Sequence, residues 1–251
     1  MHAPRARYLA AAEASGWRWF CPAAESRFDA RARNAPCTVP DMDSLARTER
    51  RALADLFIEV GPDAPTLDEG WLTRDLAAHL VVRERRFDAG LKVLVKALEP
   101  WSDRVQAGYA ARPWPELVEM FRRGPGGLSP LRIPAVDRLL NTGELFIHHE
   151  DVRRARPGWA PRDLPPKVQD ALWKAVSGGA KLFMKGLPCP VTLRRPDGAS
   201  VTIGGDGPGV TVTGEPAELA LFTSGRQAHA LVETDGDPAL VAAVVGADFG
   251  T

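Results

Sequence analysis

Between Leu45 and Arg154 the apolar positions recur at helical spacing. Leu45, Leu53, Leu56, Phe57 and Val60 form one such set, and Gly61-Pro62 stops it, which predicts a first helix. Thr73 is placed to cap a second, whose inward stripe Leu76, Leu80, Val81, Phe87, Leu91 and Leu94 continues until Pro100. A third segment, Trp114 to Phe121, ends at the loop Gly124-Pro125-Gly126-Gly127. A fourth begins near Ala135 or Asp137 and carries Leu139, Leu140, Glu144, Ile147 and His148. It finishes before Pro157, with Arg153, Arg154 and Arg156 suited to the negative end of the helix dipole. Four amphipathic helices predict a bundle.

Beyond Pro161 the period changes. One more helix, about Pro166 to Lys185, precedes Val191 to Arg194, the turn Arg195-Pro196-Asp197-Gly198, and the alternating Val201, Ile203, Val210 and Val212, which read as strands. Pro216 opens a short helix through Phe222, and Asp237-Pro238 opens a last one to Val245. The expected fold class is α+β: a helical bundle over residues 42–160 followed by a small α+β domain over residues 161–251. Residues 1–41 have no sustained periodicity and read as a poorly ordered extension. Met42 stands directly before a helix start capped by Asp43 or Ser44, so a translation start at Met42 is the alternative.

Composition narrows the function. With 45% hydrophobic and 25% charged residues the chain has material for a sizeable core. Its longest nearly apolar run, Ala239 to Ala247, is far shorter than the roughly 18 residues of a membrane span. Thirty-two basic residues balance thirty-two acidic ones, so no general field draws the chain to nucleic acid or an anionic membrane, and small molecules are the expected partners. Cys21, Cys37 and Cys189 contain no Cys-x-x-Cys pair, which argues against a disulfide framework or a cysteine zinc site and fits a reducing cytoplasm.

Three of the five histidines, His79, His148 and His149, lie in the two best-defined helices. Glu144 and His148 are four apart, on one helical face and able to grip one ion. His79 shares a face with Leu76 and Val82, so it should point between helices, where bundles build metal sites. Two imidazoles and one carboxylate suit Zn²⁺ and leave coordination positions open, the arrangement of a catalytic site; Fe²⁺, Mn²⁺ or Ni²⁺ would also fit. Asp75, one turn before His79, and Asp151, three residues after His148, are placed to orient these ligands. Spacing alone leaves the plainer readings open: a surface pair for Glu144 and His148, a hydrogen-bonded core residue for His79.

Other candidates are weaker. His149, rotated about 100° from His148, should face solvent or the neighbouring domain. His2 falls in the extension, and His229 reads as structural. The run Gly204-Gly205-Asp206-Gly207-Pro208-Gly209 lacks the Lys-Ser/Thr of a phosphate loop and reads as a hairpin loop. No Gly-x-Ser-x-Gly elbow supports a serine nucleophile. Cys189, between two prolines, suits a small structural role, and Trp71, Trp101, Trp114, Trp159 and Trp173 read as core or seam anchors.

Three stretches carry a family resemblance: Leu67 to Trp71, Arg74 to Glu84 with its Asp-Leu-Ala-Ala-His core, and Asn141 to Ala155. They resemble an actinobacterial metal-binding branch of the mycothiol-dependent maleylpyruvate isomerase superfamily, whose N-terminal domain is a DinB-like four-helix bundle. The resemblance implies a divalent metal, usually zinc, held by His79, Glu144 and His148, with mycothiol as a thiol cofactor. It also implies a contributing arginine from the C-terminal domain, at Arg226 in the stretch Val212 to Arg226, where it would pair with a substrate or cofactor carboxylate. Asp68, where related sequences often have cysteine, departs from the pattern and is not expected to touch the ligand set. The resulting expectation is a cytoplasmic metal-dependent enzyme that uses a low-molecular-weight thiol in an isomerase or transferase reaction. The alternatives are a non-catalytic binding module with a structural metal, or a hydrolase that needs no thiol.

Overall fold

Helix α1 (Leu45–Val60) ends where Gly61 adopts φ +81°, a conformation that only glycine enters freely. The Thr73 hydroxyl then donates to the Gly61 carbonyl at 2.6 Å, fixing the start of α2 (Thr73–Arg85). The computed structural model describes residues 45–86, 99–126, 129–184 and 186–249. The N-terminal extension, the Met42 start and the apolar positions Phe87, Leu91 and Leu94 lie outside the described residues.

Pro100 lies in α3 (Glu99–Ala110), so helical structure does not end at this proline. The apolar pattern of the sequence singles out no helix over these residues. Then come α4 (Trp114–Arg122), a 3₁₀ turn Pro130–Arg132, α5 (Pro134–Arg154) and α6 (Pro166–Phe183). Strands β1 (Val191–Arg194), β2 (Ser200–Ile203) and β3 (Val210–Thr213) precede α7 (Pro216–Thr223). Strand β4 (Glu233–Asp235) and α8 (Pro238–Val245) complete an α+β architecture. None of the described helices is long and apolar enough to cross a membrane.

The sheet order is β2-β1-β3-β4, with β1 antiparallel to β2 and parallel to β3. Gly204 to Gly209 is therefore not the hairpin loop expected from sequence. It carries the chain past the start of β1, so close that a Cβ on Gly209 would stand 2.5 Å from the Pro190 carbonyl oxygen. Gly209→Ala should cost about 1–3 kcal/mol in urea unfolding, while Gly205→Ala, which would meet nothing within 4 Å, should leave the midpoint unchanged.

Two apolar clusters meet along α5. Leu145 and Val152 join a core of α1, α2 and α4 side chains around Phe57, Leu76 and Phe121, while Phe146 joins the core under the sheet with Leu172, Leu193 and Phe222. Because α5 is covered from both sides, its polar residues are buried too: Asn141, Thr142, His148, His149, Glu150, Asp151 and Arg154. Each must then find a partner inside the protein. Arg154 does so with Glu150 at 2.7 Å and with Glu218 of α7 at 2.6 and 2.9 Å.

Candidate metal centre

Helices α2 and α5 supply the centre. His79 is mostly covered and lies against the Trp71 ring, 5.1 Å between centroids. Its Nε2 faces Glu144 Oε1 at 4.0 Å, and His148 Nε2 faces the same oxygen at 3.3 Å. One donor atom from each of the three residues lies within 4.8 Å of the others. A tetrahedral ion with bonds of about 2.0–2.1 Å separates its ligands by roughly 3.4 Å, so small side-chain rotations would suffice. Two nitrogens and a carboxylate are a donor set that fits a divalent transition ion.

The electrostatics prepare these groups unequally. Burial pushes the Glu144 carboxyl up, but the Arg83 guanidinium, whose Nε is 3.1 Å away, and the two histidines outweigh it and hold it well below the usual carboxylate range. Arg83 is itself fixed by bonds to Asn141 Oδ1 and, at 2.9 Å, to the Leu140 carbonyl. Burial lowers the His79 pKa, which favours the neutral imidazole that a metal requires. Burial also opposes charge on His148, yet its bonds to Asp151 and Glu144 prevail and raise its pKa to about 9.

Behind His148 stands a second polar layer. Its Nδ1 meets Asp151 Oδ2 at 2.9 Å, leaving Nε2 turned toward Glu144, the orientation that a carboxylate gives to a metal-binding histidine. Fully buried Asp151 is in turn gripped by Arg226, Nε to Oδ1 at 2.8 Å and Nη2 to Oδ2 at 2.7 Å. Arg226 also donates to Asp68 Oδ1 at 2.5 Å and to the Ser224 carbonyl at 2.6 Å, so its fork is engaged by the protein's own oxygens. Asp68 Oδ2 lies 3.7 Å from His148 Nδ1 and accepts no hydrogen bond. Burial and the nearby Asp151 carboxylate push the Asp68 pKa up. The expectation that Asp68 stays clear of the ligand set is overturned.

One further expectation fails for a local reason, and another holds in one of its two alternatives. Asp75 does not orient His79: its Oδ2 accepts from the Leu72 amide at 3.0 Å, closing the start of α2. His149 does not face solvent; it meets Arg162 of the C-terminal segment, 3.3 Å from its Nδ1, as the second of its two expected settings had it. It is buried, with Nδ1 2.9 Å from Glu49 Oε2, and Arg162 ties that glutamate down at 3.0 and 3.1 Å. Its rotation from His148 points it at α1, which crosses on that side. Arg83 was missed by sequence reasoning, although it sits one turn after His79 on the same helical face. No spacing signals Asp68, which reaches the centre from the loop before α2.

A pH prediction follows. Stabilisation from the protonated His148 is complete below its ordinary value of 6.5 and is lost as pH rises through about 9. Chelator-treated protein should therefore melt several degrees lower at alkaline than at neutral pH, and His148→Gln should flatten that slope. An equal slope in both proteins would assign the effect elsewhere.

No family model and no curated protein sequence matches the chain. Among solved structures it is similar to the crystal structure of the mycothiol-dependent maleylpyruvate isomerase, with 15% identity and a TM-score of 0.54 over 78% of this chain and 91% of that one. A histidine-to-alanine mutant of that isomerase matches with 14% identity and a TM-score of 0.53 over the same shares. At such low identity the likeness is one of architecture, and the chain has the α+β fold of these isomerase structures.

Proposed function

We propose that this chain is a divalent-metal enzyme that uses a low-molecular-weight thiol, mycothiol or a close analogue, in an isomerase or transferase reaction. The observation that carries the reading is the convergence of His79, Glu144 and His148 from α2 and α5. The shared fold with a mycothiol-dependent isomerase supports the thiol. Zinc is the favoured ion, and when bound it would supply a Lewis acid that holds a thiol as thiolate near neutral pH. The chain's own residues do the rest. Burial keeps His79 neutral, Arg83 keeps Glu144 ionised, and Asp151 holds the His148 ring in place. Arg226, with its fork on Asp151 and Asp68, acts as a positioning residue rather than as a clamp for substrate.

Metal analysis followed by cobalt exchange tests this. We expect about one equivalent of divalent metal per chain, and mycothiol added to the cobalt form should produce a sulfur-to-cobalt charge-transfer band. Less than about half an equivalent overturns the metal reading. Full metal without the band, together with turnover in the absence of thiol, would overturn the thiol and favour a hydrolase.

A further inference from the structure

Away from this centre, the start of α1, the end of α4 and the Pro130–Arg132 turn enclose a cleft of about 320 Å³. Helix α1 lends it Arg47, Arg50 and Arg51, α4 and its cap lend Arg122 and Arg123, and the turn lends Arg132. Asp137 is the one carboxylate among its described lining residues, which include no lysine and no aromatic ring. In a chain whose charges sum to zero, this is a concentration of one sign.

Some of that charge is already answered. Buried Arg50 pairs with Glu84 at 2.5 Å and Asp137 at 3.4 Å, Arg122 with Asp55 at 2.6 Å, and Arg123 with Glu119 at 2.9 Å. Arg47 and Arg51 are exposed, and neither meets a carboxylate of a described residue at ion-pair distance. They stand four apart on one face, a like-charge spacing that destabilises a helix. Arg47 also lies in the first described turn of α1, which holds no acidic residue and where the dipole disfavours a cation. Two local costs at one place are relieved together by an anion.

We propose that this cleft binds a compact phosphorylated small molecule. Guanidinium forks match the paired oxygens of phosphate, and the use of arginine alone favours such planar, two-pronged contacts. A phosphate brings close to two negative charges, which match the two arginines, Arg47 and Arg51, that no described carboxylate answers. The volume lies at the lower end for small-molecule pockets, and the described lining residues offer no ring on which a base could stack. The anion is thus recognised by its phosphate.

Calorimetric titration of the full chain with inorganic pyrophosphate tests the assignment. Saturable binding near one equivalent is expected, weakening as salt rises from about 50 to 150 mM. Arg47→Gln combined with Arg51→Gln should weaken it at least tenfold; both positions are exposed, and circular dichroism checks that the variant folds. Arg156→Gln, in an exposed pair with Glu59 at the other end of α1, should leave binding unchanged, as should His79→Ala, which excludes capture of pyrophosphate by a metal. The proposal is overturned by absent binding, by binding that survives the double variant, or by equal loss in Arg156→Gln or His79→Ala. Citrate binding as tightly as pyrophosphate, or an oligonucleotide binding where pyrophosphate does not, would overturn the ligand class.

Discussion

Replacing His79 with alanine should lower affinity for divalent metal by at least about a hundredfold, since even residues that only orient a ligand are worth roughly 10–100-fold. The loss is read by competition with a chromophoric chelator and by metal content after dialysis. His79 is partly exposed and contributes no hydrogen bond to the cores, so the fold should survive and the metal effect can be measured cleanly. Activity with thiol and electrophile should fall with the metal. An alanine variant that retains the wild-type metal content would remove α2 from the centre and leave Glu144 and His148 as a pair within one helix.

Arg226→Met should be the most destabilising change near the centre, costing about 3 kcal/mol in urea unfolding. The side chain is mostly covered, and its removal leaves Asp151, fully buried, with only His148 to balance it while Asp68 stands close by. Two carboxylates without their shared cation repel each other, and methionine fills the space without replacing the charge. A residue that merely supports the fold would lower stability and leave the metal site intact. A positioning residue should in addition weaken metal affinity about 10–100-fold, because the His148 ring loses its fixed orientation. Unchanged affinity per folded molecule would refute the positioning role.

How much of this could be read beforehand depended on the kind of signal. Helices α1, α4 and α6 were legible because apolar periodicity and proline or glycine punctuation coincide there. Helix α3 was not, because a proline that follows a helical stripe reads as a stop. Strand β4 has three exposed residues and no apolar alternation, so it forms by pairing with β3 and leaves no pattern. The order β2-β1-β3-β4 was hidden for the same reason: a glycine run between two strands looks alike whether it turns back or crosses over.

The candidate site divides along a similar line. The relation of Glu144 to His148 is set within one helix by i to i+4 geometry, and Asp151 follows one turn on. The structure brings His79 to them across the interface of α2 and α5. The roles of Asp68, Asp75 and Arg226 are set by tertiary contacts. Asp75 was misread because a carboxylate three residues into a helix competes for the backbone at its start, and there the Leu72 amide prevails. The solvent setting for His149 fails because polar residues on a helix usually mark its wet face, whereas α5 is enclosed on both sides.

The grip of Arg226 on Asp151 has a practical corollary for protein engineering. The three proposed ligands all precede Arg154, so a minimal chain truncated there would carry every donor atom, yet it would strand a sequestered anion whose counterion is encoded 75 residues downstream. Recombination that grafts foreign C-terminal halves onto this helical layer should therefore yield sound chelators only when the incoming piece brings its own arginine to that seam.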